Sequence, residues 1–258
     1  MTLKGRNAIV TGSTSGIGLA MATALAKAGA SVMINGLGSE TEIAEATKEV
    51  AASGTRVLYD PANMLRHNQI AEMVERCERE LGSVDILVNN AGIASRGNPV
   101  HMTNPAEVEK LMRVHAFGAF NLTHFALPHL LEQERGDIIH ISSIGTMTMP
   151  ANGSPYNMAK AAIEALSLTT AREYNKQGIF SNVISPGLTI TDMGERVAKA
   201  LAGVDSINEL DGRAPFNHVC SADEVANAAV FLCSPANTYL TGQNIRFDAG
   251  ETDHSFAH

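Results

Sequence analysis

Tyr156 and Lys160 stand four residues apart, a spacing at which a helix carries both side chains on one face, one turn from each other. That pairing can make an acid. A free phenol titrates near ~10, and an ammonium ~4 Å away at an effective dielectric of ~20 favours the phenolate by about 4 kcal/mol, on the order of three pKa units before burial is counted. A tyrosine brought toward neutrality in this way could protonate a carbonyl oxygen as hydride arrives, or take up a hydroxyl proton in the reverse direction. The second constellation is Thr11-Gly12-Ser13-Thr14-Ser15-Gly16-Ile17-Gly18, which follows an apolar run and opens a helical pattern. There Gly12 permits a tight turn, Gly16 lets backbone approach a pyrophosphate and Gly18 allows close packing of helix on sheet. The free N–H groups at the helix start face negative charge. Taken singly, a tyrosine–lysine pair or a glycine turn is as readily structural as functional, so the elements around them decide.

Short β-rich runs at residues 8–10, 31–35, 56–59, 86–88, 138–141, 180–184 and 244–247 alternate with helical patterns such as 17–28, 40–52 and 70–81. Their apolar residues recur at helical spacing with charges opposite. Strand then helix, repeated seven times, predicts an α/β fold: a single-domain, doubly wound, seven-stranded parallel sheet with helices on both faces. Such sheets bind ligands beyond the carboxyl ends of their strands, where both constellations fall. Residues 188–218 break the alternation and are the expected substrate lid, inserted in one domain spanning 1–258.

The chain has 258 residues, 45% of them hydrophobic, with a net charge of −8, enough for one substantial core and without the basic surplus that nucleic acid or anionic lipid requires. No uninterrupted apolar run approaches the ~18 residues of a membrane span. These features predict a cytoplasmic protein with a small-molecule substrate and no nucleic-acid or membrane partner. Cys77, Cys220 and Cys233 are odd in number and widely separated, suggesting neither a disulfide framework nor zinc. His115, His124 and His129 fall at steps that scatter them around a helix, so no metal is expected.

Together, Thr11 to Gly18, Asn89-Asn90-Ala91-Gly92, Ser143, Tyr156-Asn157-Met158-Ala159-Lys160 and Pro186-Gly187 resemble the ordered signature of the classical short-chain dehydrogenases, which have a Rossmann-type fold. Ser143 lies thirteen residues before the tyrosine, as in that family. The resemblance implies that Ser143 holds the substrate oxygen, Tyr156 is the acid/base, and Lys160 lowers the tyrosine pKa and grips the nicotinamide ribose. It likewise implies that Gly12, Ser15, Gly16, Ile17 and Gly18 cradle the pyrophosphate, that Asn90, Ala91 and Gly92 border the cofactor, and that Pro186, Gly187, Thr189 and Thr191 meet the nicotinamide end. A homotetramer joined through helices near residues 105–132 and 156–176 is implied too.

The sequence departs from the family in three places. Where an asparagine usually supports a proton relay, this chain has His115; a neutral imidazole has one donor and one acceptor with which to support it, and an ordinary pKa near ~6.5 predicts an added loss of rate in acid. The alternative is that His115 only fills space. The adenine pocket offers Asn63 and Met64 instead of the frequent aspartate. At the end of the second strand, Asn35-Gly36 replaces the acidic residue that grips the ribose; with no arginine or lysine for a 2′-phosphate, NAD is favoured and NADP is not excluded. Asn-Gly strand ends resemble those of 3-hydroxybutyrate dehydrogenases, yet Ala94, Gly145 and Gly153 stand where those enzymes hold a carboxylate, and a buried carboxylate without donors binds poorly. The expected activity is therefore hydride transfer between nicotinamide and a small, largely apolar alcohol or carbonyl. The alternatives are a 3-oxoacyl thioester reductase and a dinucleotide-binding sensor that has lost catalysis.

Overall fold

Four-residue runs such as Asn7-Ala8-Ile9-Val10 and Ile86-Leu87-Val88-Asn89 are buried along their whole length, as strands covered by helices on both faces must be. In the computed structural model, which describes residues 2–250, they are β1 (Asn7–Val10) and, after α1 (Gly16–Lys27), β2 (Ser31–Asn35), α2 (Glu40–Ala51), β3 (Val57–Asp60) and α3 (His67–Leu81), β4 (Ile86–Asn89). The second half runs α4 (Pro105–Met112), α5 (Gly118–Leu131), β5 (Gly136–Ile141), α6 (Gly145–Thr148), α7 (Ser154–Tyr174) and β6 (Ile179–Pro186). It closes with β7 (Thr189–Ile190), α8 (Asp192–Ala202), β8 (Cys220–Ser221), α9 (Ala222–Cys233) and β9 (Asn244–Phe247).

Seven strands form one parallel sheet in the order β3-β2-β1-β4-β5-β6-β9. The seven expected strands are all present, and the strand expected at 56–59 is shifted by one residue. Strand order reverses direction between β1 and β4, and that switch point opens the crevice in which such sheets hold ligands. Two apolar clusters cover the sheet. One joins α1, α2 and α9 through Met21, Leu25, Val50, Val225 and Leu232; the other joins α3 and α5 through Ile70, Met73, Leu122 and Leu130. No helix among the described residues is long and apolar enough to cross a membrane.

Two departures from the sequence reading matter for the site. The helical rod expected across 105–132 is interrupted by a π-helical turn, Arg113–Phe117, between α4 and α5; the extra residue per turn carries His115 inward, to 1% exposure. Residues 188–218 are also more ordered than their lack of alternation suggests. They contain β7, which pairs in parallel with β8 just beyond them, α8, and Ala198, Ile207 and Leu210, which form a small separate core with Val219.

Candidate active site

The glycine loop leaves β1 and enters α1 through backbone shapes that side chains oppose. Gly12 has φ +62° and Gly16 φ +56°, the left-handed region open to glycine at no steric cost. A Cβ on Gly12 would lie 2.8 Å from Ala91 Cα, and one on Gly18 would overlap the Gly12 carbonyl. Ser15 caps α1 with no side-chain hydrogen bond, and the first turn carries no acidic residue. The N–H groups around Ser15, Ile17 and Gly18 are thus left for an external anion. A bare, uncapped helix start behind a glycine cradle fits the pyrophosphate of a dinucleotide.

Neighbouring residues hold this cradle in place. Asn90 Nδ2 donates to the carbonyls of Thr11 and Gly12 at 2.9 and 3.0 Å, while Thr11 Oγ1 accepts from Asn90 N and Ala91 N at 3.1 Å. Thr11, which opens the glycine motif but has no role in the sequence reading, is therefore the latch between the β1 and β4 loops. Asn35 is 1% exposed. Its amide donates to the carbonyls of Asp60 and Ala62, and its backbone exchanges hydrogen bonds with Ser13. At the strand end expected to border the cofactor, the Asn35 side chain thus faces inward and braces the loop. Asn63 Oδ1 accepts from Leu65 N, which leaves its NH2 group to meet a base. Met64 is buried and packs beside Gly118, so its side chain belongs to the core.

On the other side of the crevice, α7 carries Tyr156 and Lys160 as the spacing predicts. Tyr156 is hydrogen-bonded to Ser143, whose Oγ also accepts from Gly145 N at 3.1 Å. Lys160 is buried, its Nζ donating to the Ile141 carbonyl at 2.7 Å and lying 5.5 Å from the centre of the Tyr156 ring. This geometry corrects the expected electrostatics. Burial pushes the phenol up to about 12, opposed by the Ser143 hydrogen bond, and pulls the lysine down to about 8, opposed by Glu164. With the ammonium drawn to a backbone carbonyl, desolvation outweighs the phenolate stabilisation expected from helical spacing.

His115 also departs from expectation. Burial, then the nearby Lys160, pulls its pKa down to about 3 against a hydrogen bond to Ile93. The ring is neutral at working pH, and the acid-side step near 6.5 falls away. Its Nε2 lies 2.9 Å from the Ile93 carbonyl and 3.0 Å from the Ile93 N–H. Either tautomer thus clamps the chain just beyond Asn90-Ala91-Gly92. Nδ1 is buried without a partner and is the one ring atom through which a neutral relay could pass.

Beyond β6, Ile144 N donates to the Pro186 carbonyl, fixing the β5 and β6 loops to each other, and Gly187 N donates to the Phe247 carbonyl, fixing the β6 loop to the end of β9. Thr189 is buried and donates to the Gly187 carbonyl. Thr191 caps α8, its Oγ1 accepting from Gly194 N at 3.0 Å, and its methyl group lies 3.4 Å from where a Cβ on Gly16 would stand. The start of α8 therefore lies close to the glycine loop. The described residues also hold a cluster of Glu78, His129 and Glu132, with His129 Nδ1 3.0 Å from Glu78.

Comparison with known proteins extends these local features over the chain. A family model described as enoyl-(acyl carrier protein) reductase matches residues 12–252. D-beta-hydroxybutyrate dehydrogenase of Rhizobium meliloti (strain 1021) is 35% identical over 96% of this chain and 98% of its own. A 3-oxoacyl-(acyl-carrier-protein) reductase FabG of Staphylococcus epidermidis is 31% identical over 95% and 98%. The solved structure of levodione reductase superposes with a TM-score of 0.90 at 27% identity, over 98% of this chain and 99% of that one. Similarity at this level along nearly the full length, on a fold whose glycine loop and tyrosine–lysine helix face one crevice, makes the chain a nicotinamide-dependent oxidoreductase of the short-chain dehydrogenase/reductase family.

Proposed function

We propose that the protein is an NAD-dependent alcohol dehydrogenase or carbonyl reductase for a small, largely apolar substrate, with Tyr156 as acid/base. The observation that carries this reading is the meeting of Ser143, Tyr156 and Lys160 at the crevice that begins with the glycine cradle. A bound nicotinamide dinucleotide supplies or accepts the hydride. The protein's own part is proton transfer and positioning: Ser143 Oγ holds the substrate oxygen, and Tyr156 Oη delivers a proton to it or removes one. Lys160 holds charge beside the phenol and grips the ribose. His115, kept neutral, positions the Ile93 backbone and lies edge-on to the Tyr156 ring.

An apolar substrate is supported by the two glycines that stand where hydroxybutyrate enzymes place polar groups. A Cβ on Gly153 would come 2.8 Å from Asn157 Nδ2, and one on Gly145 would come 3.0 Å from Asn157 Oδ1. Buried Asn157 fills the space a longer side chain would need. NAD is supported by the loop after β2, where residues 35–47 contain no arginine or lysine. Glu42, which the sequence reading passed over, adds a carboxylate there, its Oε2 accepting from Ser39 N at 2.7 Å. That anion opposes a 2′-phosphate. Exposed Phe117, Phe120, Met158 and Leu168 on the π turn, α5 and α7 support assembly through these helices.

The test follows NADH and NADPH absorbance against ketones, aldehydes, oxo acids and oxoacyl thioesters. Turnover of uncharged carbonyls with NADH is expected. Selective turnover of thioesters with NADPH would instead establish the acyl-thioester reductase reading. Tyr156→Phe should cut turnover by on the order of 10²–10⁴-fold while dinucleotide binding persists; silence from the wild type with tight NADH binding would establish a sensor.

A further inference from the structure

Glu164 follows Tyr156 and Lys160 at the next four-residue step of α7. One of its oxygens, Oε1, accepts hydrogen bonds from Ser142 Oγ at 2.5 Å and from Thr146 Oγ1 at 2.6 Å. Both donors are buried, and they bracket Ser143 from either side. Short O–H···O⁻ bonds of this kind are charge-assisted and geometrically demanding. A single carboxylate on the Tyr156–Lys160 helix thus fastens both ends of the turn that presents Ser143. The same carboxylate bears on a second problem. Lys160 is buried and hydrogen-bonded to a neutral carbonyl, and a buried ammonium without an opposing charge is costly.

We propose that Glu164 is a positioning residue that locks the Ser143 turn onto the catalytic helix and supplies the counter-charge for the buried Lys160. This rests on the reading of Tyr156 and Lys160 as the acid/base pair. The groups facing Lys160 are Tyr156 and Glu164 from its own helix and His115 from the π turn. Tyr156 is protonated and His115 neutral at working pH, so Glu164 is the anion of the set. Its effect opposes the burial that draws Lys160 down to about 8.

The deciding measurement is an NMR titration of lysine ¹³Cε in the ligand-free full-length protein, with the Lys160 signal identified by its loss in Lys160→Arg. Glu164→Gln keeps an acceptor oxygen for both hydroxyls and removes the charge. Its Lys160 midpoint should fall by about half a pH unit or more. Thr146→Val keeps the charge and cuts one strap, so the midpoint should stay in place while kcat/KM for a reducible carbonyl drops several-fold. If Glu164→Gln does not fold, Glu164→Asp, which retracts the charge by one methylene, should give a smaller shift in the same direction. A midpoint unchanged in the folded variant overturns the counter-charge role, and unchanged kinetics in Thr146→Val overturn the strap. The titration needs no turnover, so an inactive wild type would refute the acid/base reading and leave the Glu164 result standing.

Discussion

The imidazole of His115 meets the Tyr156 ring edge to face, with centroids 5.5 Å apart and planes at 85°. A neutral ring in that position supports the phenol by contact and contributes no charge to it. The pH profile should therefore carry no histidine step. Between pH 5.5 and 7.5, kcat/KM profiles of the wild type and His115→Asn should share one shape, even where the variant is slower throughout.

The pair that does titrate is Tyr156 with Lys160, each shifted chiefly by its own burial. Lysine sits at about 8 and tyrosine at about 12, so the first proton leaves on the lysine side. Carbonyl reduction consumes a proton from this pair and should decline as pH rises through ~8, whereas alcohol oxidation should rise over the same range. Initial rates in both directions from pH 6 to 10 check this.

Acid should unfold the protein through two buried histidines. His115 and His140 are both pulled down to about 3 by burial, so the unfolded chain takes up their protons first. Stability then falls as pH drops from ~6.5 toward ~3, at about 2 kcal/mol per histidine by pH 5. Thermal unfolding at pH 7.5 and 5.0 should show the loss, and His115→Asn should show less of it.

A Cβ on Gly92 would fall against the His115 ring, 2.9 Å from Nδ1. Gly92→Ala should cost about 1–3 kcal/mol of stability through overpacking. Adding His115→Ala should recover most of it, and a denaturant double-mutant cycle would measure the coupling.

Leu37 is 72% exposed just past the end of β2, with Glu42 close behind it on α2. Leu37→Arg combined with Glu42→Gln replaces an anion by a cation in the loop after β2, where a 2′-phosphate would be read on the proposed NAD preference. The KM for NADPH should fall by on the order of tenfold while that for NADH rises, in line with a gained phosphate contact.

Strand placement, helix alternation and the glycine loop were legible in the chain because each depends on near neighbours: period-two and period-3.6 patterns, and glycine where backbone must turn tightly. The four-residue step from Tyr156 to Lys160 was equally plain, and the same step one turn further would have pointed to Glu164. Other features needed packing. His115 turns inward because a π turn inserts into one helical rod, and nothing in a 3.6-residue pattern marks that insertion. The sequence placed a charge beside a phenol, but only the tertiary structure decided that Lys160 would reach for the Ile141 carbonyl and that burial would outweigh attraction. Spacing along a helix is a local property; the dielectric around a side chain, and the partner its hydrogens find, are set by every element packed against it.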